Sequence, residues 1–128
     1  MKIYAIIPIK HNSTRVPGKN FRLMNGKPLY YYIINTLLQV DKINKIIIDT
    51  NSDTIKNDLS KHFDLSKIVI YDRPKHLWPG STPTNDLLTN VITDLNLDAD
   101  YYLQTHVTNP LLKKETIDKA INEFLNNL

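Results

Sequence analysis

Short apolar runs and helical stripes take turns along this chain. Ile3, Ala5, Ile6, Ile7 and Ile9 make Lys2 to Ile9 almost continuously apolar, the pattern of a strand buried on both faces. A long polar loop over residues 10 to 24 follows. Asn25-Gly26 signals a turn, and Pro28 suits the first position of a helix, where no amide donor is required. Leu29, Ile33, Leu37 and Val40 then repeat at helical spacing, with Tyr30, Ile34 and Leu38 widening the stripe. Tyr30-Tyr31-Tyr32 reads as core and rim. Lys45 to Thr50 predicts a second buried strand around Ile46, Ile47 and Ile48. Asn51 or Ser52 caps the next helix, Asp53 favours its dipole, and Ile55, Leu59 and Phe63 form its apolar face. Lys67 to Tyr71 reads as the third strand, and Asp72 to Pro83 as a loop dense in Pro, His and Trp. A helix begins at Thr84 or Asn85 and carries Leu87, Leu88, Val91, Ile92 and Leu95 on one face. Asp100 to Gln104 is a fourth strand, Thr105 to Lys113 a polar loop, and Glu115 to Leu128 an amphipathic helix.

Strands alternating with helices imply an α/β fold of three layers: a mostly parallel, Rossmann-like sheet with helices on both faces. Ligands in such sheets sit beyond the carboxyl ends of the strands. That rule puts residues 10 to 22, 49 to 53, 72 to 85 and 104 to 109 along one rim, where the polar stretches fall.

Length and composition narrow the class. The 128 residues suit a single domain, and 41% hydrophobic with 23% charged residues suits a globular protein. With no cysteine there is no disulfide framework and no thiolate metal site. No signal peptide or membrane-length apolar run is evident, so a cytoplasmic location is the default expectation.

Charge changes the picture more. Residues 1 to 40 hold six basic side chains (Lys2, Lys10, Arg15, Lys19, Arg22, Lys27) and no carboxylate, whereas residues 41 to 128 have a net charge of −3. A field of one sign beside the first strand favours an anionic ligand. The basic residues interrupt a loop rich in Gly, Pro, Asn and Ser instead of lining a helix, which favours phosphate over a merely solvated face. No basic helix with regular aromatic interleaving points to nucleic acid. Only Arg15, Arg22 and Arg73 of the sixteen basic residues are arginine, and all fall in loops after strands. Their planar forks match phosphates and base edges, which a lysine point charge does not.

Familiar nucleotide motifs are absent: there is no Gly-x-Gly-x-x-Gly and no Gly-rich loop ending in Gly-Lys-Ser/Thr. A phosphoacceptor receiver would need acids after the first strand, where this chain has Lys10 and His11. A hydrolase pair of Ser13 with His11 lacks an orienting acid.

The first loop, Ile7-Pro8-Ile9-Lys10-His11-Asn12-Ser13-Thr14-Arg15-Val16-Pro17-Gly18-Lys19-Asn20, resembles the signature of the acylneuraminate cytidylyltransferases (CMP-sialic acid synthetases) and relatives that activate other acidic sugars. The resemblance continues in Met24-Asn25-Gly26-Lys27-Pro28-Leu29, Asp49-Thr50-Asn51-Ser52-Asp53, Asp72-Arg73-Pro74 and Leu103-Gln104 through Asn109-Pro110-Leu111.

What the resemblance implies is specific. The fold becomes that of the nucleotide-diphosphosugar transferases, with residues 1 to 128 a single domain corresponding to the family's amino-terminal portion. Lys10 stands where the family usually has an arginine that meets the nucleotide phosphates; it keeps the charge and loses the fork. Asn12, Ser13 and Lys19 belong to the same phosphate loop, and Asn20 contacts the cytidine. Arg73 lies near the cytosine, and Thr84 reads the base edge. Gln104 faces the acidic sugar, whose pocket His106, Thr108 and Asn109 help to shape. For His106 an ordinary loop role, and for Thr84 a plain helix cap, stand beside those readings. The implied reaction joins an acidic sugar to CTP, giving CMP-sugar and pyrophosphate. Lys10, Arg15 and Lys19 supply positive charge, and Mg2+ is the expected cofactor, with no metal ligands identified. CTP, an acidic sugar and a second copy in a homodimer are the implied partners. Two alternatives stay open: a catalytically incomplete nucleotide-binding domain, and another nucleotidyltransferase or glycosyltransferase of the same fold.

Overall fold

The computed structural model describes residues 1–10, 23–106 and 112–128. The apolar run predicted first forms β1 (Ile3–Ile9), buried along nearly its whole length. It lies inside a four-stranded sheet with β4 (Lys45–Thr50), β5 (Ile68–Asp72) and β6 (Tyr101–Gln104), in the order β5-β4-β1-β6. All three pairings are parallel. Ile6 lies opposite Ile47 and Gln104, and Ile48 opposite Ile70. Parallel neighbours require a crossover, and the helices supply it: α1 (Leu29–Leu38), α2 (Asp53–His62) and α3 (Thr84–Asp94), while α4 (Lys114–Asn126) follows β6.

Side-chain alternation divides the core between the two faces of the sheet. Ile3, Ala5, Ile7 and Ile9 of β1, with Ile46 and Ile48 of β4, meet Ile33 and Leu37 of α1, Ile55 and Leu59 of α2, and Ile117 and Ile121 of α4. On the opposite face Tyr4, Ile6, Ile47 and Tyr71 meet Val91, with Leu88 and Ile92 alongside, all from α3. One face thus carries three helices and the other carries one.

Two local departures from the sequence reading have clear causes. Asn25-Gly26 closes a small antiparallel ribbon of β2 (Leu23–Met24) and β3 (Lys27–Pro28). Its turn needs positive φ, +52° at Asn25 and +80° at Gly26, which these two residue types adopt at low cost. Pro28 therefore sits one position before the first helical residue, extended at φ −57° and ψ 146°, and ends the ribbon instead of opening α1. The loop after β5 contains a single 3₁₀ turn, Lys75–Leu77, which apolar periodicity did not announce. Of the two candidate caps for α2, Ser52 is the one used: its Oγ accepts from the Ile55 amide at 3.2 Å.

The start of β1 is fastened to the segment before β6. Asp98 accepts from Lys2 Nζ at 2.6 Å and from the Tyr4 hydroxyl at 2.8 Å, and Asp100 accepts from the Lys2 amide at 2.7 Å. Among the described residues, no helix is long and apolar enough to cross a membrane.

Candidate functional site

Parallel strands end at one rim, so the described parts of the four predicted polar stretches lie at the same side of the sheet. From β1 the chain moves outward through β4 to β5, then returns to place β6 on the other flank of β1. The crevice between the carboxyl ends of β1 and β6 is the topological switch point, where open α/β sheets bind ligands.

Lys10 leaves β1 at this point. Its Nζ donates to the Gly80 carbonyl at 3.2 Å, tying the first strand's exit to the loop after β5. That loop starts at Arg73 and ends at Pro83, the residue before α3. Thr84 is the first residue of α3, and Pro83, which has no side chain to accept a hydrogen bond, occupies the cap position. The plain-cap reading of Thr84 therefore does not describe its place here. Because α3 begins where the loop from β5 ends, the positive end of its dipole belongs to the rim side.

Arg73 is placed by β5 and held by β4. Its amide continues the ladder to the Thr50 carbonyl at 3.0 Å. Its Nε donates to Asp49 Oδ1 and its Nη2 to the Asp49 carbonyl, each at 3.0 Å. Neither side chain has any solvent exposure. Asp49 Oδ2 and Arg73 Nη1 have no hydrogen-bond partner among the described residues. Burial pushes the Asp49 carboxyl above the ordinary aspartate range, and the Arg73 guanidinium opposes it without reversing it. The Trp78 indole donates to the Arg73 carbonyl at 2.7 Å, while the side chain remains 40% exposed.

Gln104 and His106 come together on the other flank. The Gln104 amide nitrogen lies 3.0 Å from His106 Nε2. An amide nitrogen only donates, so this contact is a hydrogen bond in the tautomer whose Nε2 is the acceptor. Both residues line a pocket of about 210 Å³ that also includes Thr105, Leu112, Thr116 and Ile117. Thr105 is buried, and its hydroxyl has no partner among the described residues. Asp49, Thr105 and Thr116 are not among the site residues named from the sequence. The first two fall within the rim stretches 49 to 53 and 104 to 109 that strand ends marked, and Asp49 also opens one of the quoted family motifs.

The remaining predicted site residues, Asn12, Ser13, Arg15, Lys19, Asn20, Thr108 and Asn109, lie outside the described residues. The rim acids are already matched. Lys56 Nζ meets Asp53 at 3.0 Å and Asp72 at 2.6 Å, and Asp49 pairs with Arg73. No group of three His, Asp or Glu side chains among the described residues is arranged to hold a metal ion. These residues do not fit a magnesium site.

Comparison with known proteins gives this rim its context. The chain is 34% identical over 127 residues to the CMP-N,N'-diacetyllegionaminic acid synthase of Legionella pneumophila, covering 94% of this chain and 52% of that protein. It is 27% identical over 130 residues to the pseudaminic acid cytidylyltransferase of Campylobacter jejuni, covering 99% of this chain and 55% of that one. A solved CMP:2-keto-3-deoxy-manno-octonic acid synthetase complexed with CTP superposes with a TM-score of 0.78 at 18% identity. It covers 98% of this chain and 48% of its own, a likeness of fold. The chain thus spans about half the length of these relatives. The family model described as cytidylyltransferase matches residues 4–128, and the chain belongs to that family.

Proposed function

We propose that this chain binds CTP at the carboxyl rim and serves transfer of its cytidylyl group to an acidic sugar. The observation that carries the reading is the placement of Lys10 and Gln104 at the ends of the two strands flanking the point where strand order reverses, with Arg73 following β5 on the same side of the sheet. The names of its relatives support an acidic sugar of the legionaminic, pseudaminic or ketodeoxy-octonic class.

The sugar's anomeric hydroxyl oxygen attacks the α-phosphorus of CTP. A new oxygen–phosphorus bond forms, the bond to the bridging oxygen breaks, and pyrophosphate leaves with that electron pair. The hydroxyl proton passes to solvent. Such a reaction needs in-line positioning and neutralisation of phosphate charge. Lys10, Arg15 and Lys19 are the cations assigned to that task, with Asn12 and Ser13 in the same loop. Asn20, Arg73 and Thr84 are assigned to the cytidine. The pocket bearing Gln104 and His106 suits the sugar, whose hydroxyls and carboxylate need donors and acceptors close together; Thr108 and Asn109 belong to the same assignment. Mg2+ belongs to the reading through the family resemblance, but the described residues offer it no ligand set, and no step here depends on it.

The test is pyrophosphate release from CTP in the presence of a panel of acidic sugars. Release with at least one sugar, dependent on Lys10 and Gln104, is the expected result. No release with any sugar, while CTP still binds, leaves a nucleotide-binding domain in place of an enzyme. Equal use of UTP or ATP points instead to another nucleotidyltransferase of this fold.

A further inference from the structure

Among the described residues β6 pairs only with β1, which makes it an edge strand. The Tyr101 amide donates to the Lys2 carbonyl at 3.2 Å and the Thr105 amide to the Ile6 carbonyl at 3.3 Å. Alternation along the strand therefore turns the main-chain groups of Tyr102 and Gln104 away from β1. Such an edge is a template for another strand, and proteins commonly blunt it with lysine, proline or inward-pointing charge. Tyr101-Tyr102-Leu103-Gln104 carries none of these.

An apolar gutter runs beside this edge. α4 buries Ile117 and Ile121 against the sheet. A second stripe at helical spacing, Thr116, Ala120 and Phe124, stays exposed. Phe124 is 51% exposed, and its ring centroid lies 5.0 Å from that of Tyr101. These two rings, with Leu103, Ala120 and Ile121, line a cavity of about 250 Å³. The cavity shares Leu103 and Ala120 with the pocket bearing Gln104 and His106, so the gutter follows β6 to the carboxyl rim. Single exposed apolar residues are ordinary, but an apolar stripe alongside unpaired main-chain donors and acceptors is what an added strand needs.

We propose that the open edge of β6 and this gutter dock an extended strand of a second polypeptide, the counterpart of the half of its relatives' length that this chain does not span. The incoming strand pairs with the main chain at Tyr102 and Gln104, and its alternate apolar side chains fill the gutter beside Phe124. Length decides the occupant. The relatives carry about as much polypeptide again as they share with this chain, and a parallel sheet is ordinarily covered. A second copy seated on the same edge is the competing outcome of the test. Docking requires no nucleotide, so the proposal stands apart from the CTP reading.

The test co-expresses the tagged 128-residue chain with the part of the Legionella pneumophila synthase that this chain does not match. A one-to-one complex is expected on size exclusion. Hydrogen exchange then reads the edge itself. In the chain alone the Tyr102 and Gln104 amides are expected to exchange fast while those of Tyr101 and Thr105 stay protected; in the complex all four are protected. Ala120→Lys and Phe124→Lys each set a charge in the gutter and are expected to weaken the complex about tenfold or more, since an ammonium resists leaving water. Both positions are exposed, so the variants are expected to keep the wild-type circular dichroism. Should either lose it, the exchange pattern of the wild-type complex decides alone. No complex, or a complex that leaves Tyr102 and Gln104 unprotected or ignores both folded variants, overturns the proposal. Protection of those two amides in the chain alone, as in a dimer paired through β6, overturns it equally.

Discussion

Asp98 shows how one side chain connects distant parts of the chain. It is exposed, yet it accepts from Lys2 Nζ and from the Tyr4 hydroxyl, joining the first strand to a segment more than ninety residues later. The Lys2 ammonium, and then the Tyr4 hydroxyl, hold its carboxyl below the ordinary aspartate value of 3.8. A carboxyl with a depressed folded-state pKa contributes stability that is present above its unfolded value and lost as pH falls through the folded one. The window is therefore the acid side of about pH 4. Between about pH 7 and about pH 3, the urea midpoint of the wild-type chain is expected to fall further than that of Asp98→Asn. Equal falls in the two proteins would remove this residue from the account. At the same scale, the sequence exposed Lys10, Gln104 and His106 through their loops and through a family resemblance. It did not expose the Asp49–Arg73 pair. Twenty-four residues separate those two, and only parallel pairing of β4 with β5 makes them neighbours. Thr105 escaped notice for a similar reason: a threonine in a polar loop gives no sign that its hydroxyl will be buried.

At the scale of elements, legibility followed periodicity. Each of the four main strands and four helices was placed within about two residues, the usual uncertainty of an element's ends. Long apolar repeats leave little choice of structure. The β2–β3 ribbon and the 3₁₀ turn at Lys75–Leu77 have too few residues to show a period. Their turn chemistry was visible at Asn25-Gly26, but the pairing it produces was not. The cap of α2 gives this scale its prediction. Ser52 satisfies an amide that would otherwise be orphaned inside the structure, and it is almost fully buried. Ser52→Ala is expected to cost about 1 kcal/mol, seen as a fall of about 3–5 °C in the thermal midpoint. An unchanged midpoint would mean that the cap is replaced by another acceptor. The effect on nucleotide affinity should be small, because Ser52 is not among the residues assigned to the ligand.

For the molecule as a whole, alternation of strand and helix was enough to predict a parallel, covered sheet. It did not reveal the order β5-β4-β1-β6, nor that three helices share one face. Those facts depend on which edge each returning strand joins, and local sequence does not encode that choice. The order also sets the site, since the crevice exists only because β6 joins the far side of β1. A chain ended at Asp100 lacks β6 and α4, and with them the cover given by Ile117 and Ile121. It is expected to lose a single cooperative unfolding transition, which circular dichroism in urea would reveal; a retained sharp transition would show that the remaining strands suffice.

The central position of β1 also bears on how the protein comes into being. Ile3–Ile9 is translated before both of the strands that flank it, and it is enclosed only when those neighbours are completed at Thr50 and Gln104. Throughout that interval a sticky, isoleucine-rich ribbon waits without partners, and such segments are where nascent chains go astray. Pro8, which cannot donate from its nitrogen, interrupts the ribbon and acts as a brake on mispairing while translation catches up.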